Sequence, residues 1–234
     1  MVKDELIQRS PVRVFMNSIN GGLGPGEMGV VASPSGIGKT SVLVQIALDK
    51  LLQDKKIIHI SFTQHTDYVL TWYENIFDEF IRKKNLENEQ DVKNDIVKNR
   101  VLMKFSQGVI SGDQIFRSIR ALIKDGGFNA EALIVDGYDF SASEEGQIAE
   151  VKSFASEMGI SVWFSCTIKD EKNIYNKKNI PTILKNHADH FAVIIVLEPK
   201  SDHIALTVSK DRDTCSLEHL ALRLDPKTLL IMED

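Results

Sequence analysis

Eight consecutive residues constrain this chain more than anything else in it: Ser33-Pro34-Ser35-Gly36-Ile37-Gly38-Lys39-Thr40. They follow an apolar, β-branched run, Met28–Ala32, and precede Thr40–Leu52, in which Val44, Ala47, Leu48 and Leu51 share a helical face. A strand, a glycine-bearing turn and a helix in that order make an anion cradle. Glycines let backbone N–H groups curl inward, and the helix N-terminus adds partial positive charge. The second half of the pattern G-x-x-x-x-G-K-[ST] is complete here, and Ser33 stands where the pattern begins with glycine. The chemistry expected of such a loop is phosphate binding. Backbone donors come from Ser35, Gly36, Ile37, Gly38, Lys39, Thr40 and Ser41. Lys39 reaches the β- and γ-phosphates, and the Thr40 hydroxyl ligates Mg²⁺.

A second feature belongs with the first. The run Ala132-Leu-Ile-Val135 ends on Asp136. A carboxylate at the tip of a buried strand beside a phosphate loop is placed to hold Mg²⁺ through water. ATP and Mg²⁺ are therefore the expected cofactors.

Apolar runs recur between helical patterns along the rest of the chain, at 56–62, 101–105, 132–135, 161–166 and 191–197. That alternation predicts an α/β fold with a twisted, mostly parallel sheet flanked by helices. Runs at 204–208 and 220–224 have hairpin-like spacing and predict an antiparallel C-terminal extension. A helix is expected over 112–124, closed by Gly126-Gly127, and the strongly charged stretch 82–100 reads as a solvated helix or loop. With 234 residues the chain fits a single domain over 1–234, with 1–27 as a glycine-rich lead-in.

The net charge of −5 argues against wholesale coating of a polyanion. Cys166 and Cys215 lack CxxC partners and read as inert thiols. His187 and His190 approach metal-ligand spacing but have no third partner nearby. The first nine residues lack a signal peptide's apolar run, and no stretch reaches the ~18 apolar residues of a membrane span. The expectation is a cytoplasmic protein with no membrane partner.

From about Asn17 to Leu230 the chain resembles the RecA-like ATPases, in the branch of DnaB-type helicases, RadA and KaiC-type proteins. The lead-in Ser18-Ile-Asn-Gly-Gly-Leu-Gly-Pro-Gly-Glu-Met-Gly, the phosphate loop, Asp113–Arg120, Asp136 and Lys210-Asp211-Arg212 carry the resemblance. It implies a RecA-like core and assembly with itself into a ring or filament. Within it, Lys210 and Arg212 reach across a subunit interface to the neighbour's γ-phosphate as an arginine finger does.

Two departures stand out. The family has a water-activating glutamate where this chain has Thr63. Gln64 could orient water by hydrogen bonding, Asp67 or Asp139 could substitute, or ATP is bound with little turnover. Thr167 stands where many relatives carry a polar amide that senses the γ-phosphate. The channel-facing loops of the family correspond to 137–147, which is acidic, and 168–180, which carries four lysines and Tyr175 and could meet single-stranded DNA. Two functions follow. One is an ATPase acting on DNA or with other DNA-processing proteins. The other is a KaiC-like, nucleotide-gated assembly or signalling module.

Overall fold

The computed structural model describes residues 10–63, 65–84, 89–108, 111–143, 146–170 and 174–233. Its strands are β1 (Met28–Ser33), β2 (Lys56–Ser61), β3 (Arg100–Lys104), β4 (Ala130–Asp136), β5 (Ser161–Thr167), β6 (Val193–Pro199), β7 (Ile204–Asp211), β8 (Glu218–Leu224) and β9 (Ile231–Glu233). They form one sheet in the order β3-β2-β4-β5-β1-β6-β7-β8-β9. All pairings from β3 to β6 are parallel, and those from β6 to β9 are antiparallel.

The inner strands read as near-continuous apolar runs because both faces of the sheet are covered. On one face Val31, Ile134, Trp163 and Ile195 join a core with α1 (Pro11–Ser18), α2 (Lys39–Leu52), α3 (Thr66–Lys84) and α4 (Glu89–Lys98). On the other, Val30, Leu133, Phe164 and Ile194 pack with α5 (Gly112–Arg120) and α6 (Gln147–Met158). Helices on both faces let connections leave β1 and β4 on opposite sides, which opens a crevice at the strand tips.

Several local outcomes differ from the sequence expectation. The lead-in contains α1, capped by the Ser10 side chain with proline in its first turn; Val12, Phe15 and Met16 are buried. Helix α2 buries nearly every residue, not one face, because α1 and α3 flank it over the sheet. Within the charged stretch, Val92 and Ile96 give α4 a buried edge at i, i+4 spacing. The helix expected to reach Lys124 ends as a π-helical turn, Ala121–Asp125, in which the Gly126 N–H bonds the Ala121 carbonyl at 2.9 Å. Strand β9 has only three residues, too few for a periodic signal. Among the described residues no helix is long and apolar enough to cross a membrane.

Mid-strand on β2, His59 is buried with Nδ1 3.1 Å from the Tyr73 hydroxyl. Among the described residues its Nε2 has no hydrogen-bond partner. Burial pulls its pKa down to about 4. The folded state thus binds this proton more weakly than the unfolded chain. The resulting stability is complete above pH 6.5 and drains away as pH falls to 4, by about 3 kcal/mol. Urea titrations at pH 7 and pH 4 are expected to show that loss in the wild-type chain and a clearly smaller one in His59→Leu. Equal losses in both would argue against a buried neutral imidazole.

Candidate functional site

The tips of β4, β5 and β1 lie side by side, and the residues just beyond them line a cleft of about 590 Å³. Its floor is the turn from β1 into α2. Gly36 (φ +80°) and Gly38 (φ +112°) take left-handed conformations that side chains resist. Nothing lies within 4 Å of where a Gly36 Cβ would sit, so the turn faces open space there. Gly38 caps α2 without any side-chain hydrogen bond, which leaves the helix start to its backbone donors. Ile37 packs against the core and is not among the residues that line the cleft.

Ser33 is tolerated because its backbone lies outside the left-handed region that the motif's first glycine would serve. Its hydroxyl bonds the Pro34 carbonyl at 2.9 Å. Lys39 Nζ donates to the Pro34 carbonyl at 2.8 Å, the Ser33 carbonyl at 3.2 Å and Ser33 Oγ at 3.3 Å. Burial lowers the Lys39 pKa, opposed by the fields of Cys166 and Asp136.

Thr40 and Asp136, 96 positions apart, meet directly: Thr40 Oγ1 donates to Asp136 Oδ2 at 2.8 Å. Asp136 is buried, and Ser165 Oγ donates to its Oδ1 at 2.6 Å while accepting the Gly137 N–H at 2.7 Å. Ser165 is a positioning residue that sequence reasoning missed. Strand β5 sits between β4 and β1, a neighbour relation that no local pattern announces. Trp72 and Leu229 also border the cleft.

The Ser41 hydroxyl is committed elsewhere: it donates to the Leu229 carbonyl at 2.6 Å, and Gln45 Nε2 reinforces that carbonyl at 2.9 Å. Thr63 lines the cleft beside Gly137, whose absent Cβ leaves room for the threonine side chain. Gln64 lies outside the described residues. Asp67 is paired with His65 at 3.1 Å and is not among the cleft-lining residues. Asp139 does line it, held below its ordinary pKa chiefly by the Ser141 hydroxyl. Cys166 lies buried on β5, its thiol pushed up to about 12 by burial.

Lys210 and Arg212 are not brought to this cleft. Lys210 pairs with Ile194, level with Val30, and Arg212 bonds Ala192, level with Met28 where β1 begins; at the ordinary strand rise they lie roughly 10 and 17 Å along the strands from Ser33. Lys210 Nζ bonds the Ala188 carbonyl at 2.7 Å. Arg212 bonds the Gly22 carbonyl at 2.8 Å, Glu27 at 3.2 Å and Asp211 at 2.5 Å. In the described part of 168–180, Tyr175 is half-buried and its hydroxyl donates to Glu198 at 2.5 Å, so its ring is not a free stacking platform.

No protein-family model matches this chain, and a search of curated proteins finds none that matches it.

Proposed function

We propose that the cleft binds ATP with Mg²⁺ and that the chain is a RecA-like, nucleotide-gated module in which turnover is slow. The observation that carries this reading is the Thr40–Asp136 contact at the mouth of the Gly36–Lys39 turn. A hydroxyl and a buried carboxylate from distant parts of the chain converge beside an uncapped helix start and a lysine. That donor set fits a cation bridging to phosphate. Among the described residues no cluster of three or more His, Cys, Asp or Glu gathers as a cation site by itself. A magnesium ion at Thr40 and Asp136 would therefore complete its shell with phosphate and water oxygens, and would neutralise phosphate charge there.

Slow turnover follows from what surrounds the reacting end. Among the described residues, Thr63 offers no carboxylate, and the Asp139 carboxylate is already engaged by the Ser141 N–H and hydroxyl. Positioned general-base help is worth about 10²–10⁴-fold, so its lack separates a switch from a motor. A second reading, an oligomeric ATPase completed in trans, draws on the position of Lys210 and Arg212. In that reading the two residues, which lie outside their own cleft, would act on a neighbour's. Their internal hydrogen bonds oppose that use. Assembly into a ring or filament, and contact with DNA through 168–180, remain proposals tied to this second reading.

The chain has two tryptophans, and only one borders the cleft. Trp163 is fully buried on β5. Titration with ATP is expected to change Trp72 emission saturably, and only when Mg²⁺ is present. Phosphate release is expected to stay slow with or without single-stranded DNA. Absence of both a fluorescence change and any calorimetric heat would sink the nucleotide reading. Rapid DNA-stimulated release would favour the trans ATPase.

A further inference from the structure

Among the described residues the nucleotide cleft is bordered by two cations, Lys39 at its floor and Lys169 at its rim. Only the first belongs to the phosphate loop. The backbone before Lys169 is fixed to that loop, because the Ile168 N–H bonds the Ser33 carbonyl at 2.9 Å and the Ile168 side chain is buried. The lysine side chain itself is 62% exposed. Its ammonium rests on Ser141 Oγ at 2.7 Å and on the two Asp139 oxygens at 3.2 and 3.4 Å.

Asp139 does not depend on this lysine for its place. Its carboxylate accepts the Ser141 N–H at 2.9 Å and the Ser141 hydroxyl at 2.5 Å. Its backbone is clamped by Gln107 on both sides, at 2.8 Å to the N–H and 3.0 Å to the carbonyl. The ammonium is thus an exposed cation on a separately anchored rest. An exposed ion pair of this kind contributes no more than about fivefold to any equilibrium. A terminal phosphate, carrying more charge and stronger acceptors, outcompetes it.

Resting on the nucleotide reading above, we infer that Lys169 is the element that tells a nucleoside triphosphate from a diphosphate. Its ammonium leaves Asp139 and Ser141 for the terminal phosphate. The turn Phe140–Ala142, which follows Asp139 directly, then loses its lysine contact only in the triphosphate state. Nucleotide state is thereby written onto the surface segment that follows β4.

Calorimetric titration of the full chain with the β,γ-imido analogue of ATP and with ADP, both with Mg²⁺, tests this. Lys169→Ala is expected to weaken the triphosphate analogue about 10- to 50-fold, in line with a lost charge-assisted bond, and to leave ADP within about twofold. Lys169→Arg is expected to restore most of the preference. Asp139→Asn removes the competing rest and is expected to strengthen the triphosphate analogue about threefold or more. Equal loss of both nucleotides, no loss of either, or no rescue by arginine would overturn the assignment while leaving the phosphate loop intact. Wild-type chain that binds neither nucleotide would overturn both.

Discussion

Lys39→Ala is expected to weaken Mg²⁺-dependent ATP binding by at least about 100-fold while leaving the melting temperature within a few degrees of wild type. Among the described residues the ammonium is the only cation at the cleft floor, and its three acceptors are all oxygens of Ser33 and Pro34. Without it, two backbone carbonyls and a hydroxyl face incoming phosphate with no positive charge between them. Coulomb repulsion then adds to the lost charge-assisted bonds, in a site already partly withdrawn from water. The fold has little stake in this lysine. Its partners lie within six residues, and the α2 core beneath is built from Val42, Leu43, Ile46 and their neighbours. Isothermal titration and differential scanning calorimetry on the same preparation separate the two effects. A variant that still binds MgATP like the wild type would refute the phosphate-loop assignment. One that loses binding only by unfolding would assign Lys39 to structure.

Gly38→Ala is expected to be strongly damaging, because the added methyl would meet the buried core beneath the cleft floor. Gly38 sits at φ +112°, and a Cβ there would lie 2.6 Å from Leu224 Cδ2. Leu224 is fully buried in the same core as Leu222 and Ile231, so it has little room to yield. Backbone strain and overpacking together imply a loss of about 2–4 kcal/mol. For a chain of this size that is a drop of about 5–15 °C in Tm. Gly36→Ala is the matched control. It is also left-handed, at φ +80°, but meets no atom within 4 Å. Its cost should be near 1 kcal/mol and confined to the backbone. Scanning calorimetry of both variants that gave equal losses would show that packing under the turn is not what holds it. MgATP affinity is expected to fall in both, because each glycine shapes the donors of the turn.

The contrast between these glycines shows where sequence reading succeeds and where it stops. Both were legible as turn residues, since a strand, a glycine-bearing turn and a helix are local patterns. That Gly38 is pressed on by Leu224, 186 residues later, is not local. The same holds around the cation pair. Thr40 and Asp136 were each readable from motif and strand-end position, while their 2.8 Å contact comes from the strand order that brings the tips of β1 and β4 together. Ser165, which holds Asp136 in place, carries no signal beyond being a small polar residue in a buried strand. Ser41 was read as a phosphate-loop residue, yet its hydroxyl turns to Leu229, because the turn before β9 folds over the start of α2. Leu229 adopts φ +56°, an uncommon conformation for leucine that no propensity rule anticipates.

By itself, the sequence determined the alternation of strands and helices, the parallel core with its antiparallel extension, and the placement of a glycine turn, Lys39, Thr40 and Asp136 at strand ends. These depend on periodicity and on chemistry that neighbouring residues share, which a linear pattern can carry. Only the tertiary structure decided that β5 would lie between β4 and β1, and that Arg212 would bond Gly22 and Glu27 at the end of the sheet remote from the loop. It alone set Lys169 beside Asp139. Strand order and side-chain partners are properties of long-range packing. They are chosen by which apolar faces bury one another and which polar groups must then be satisfied.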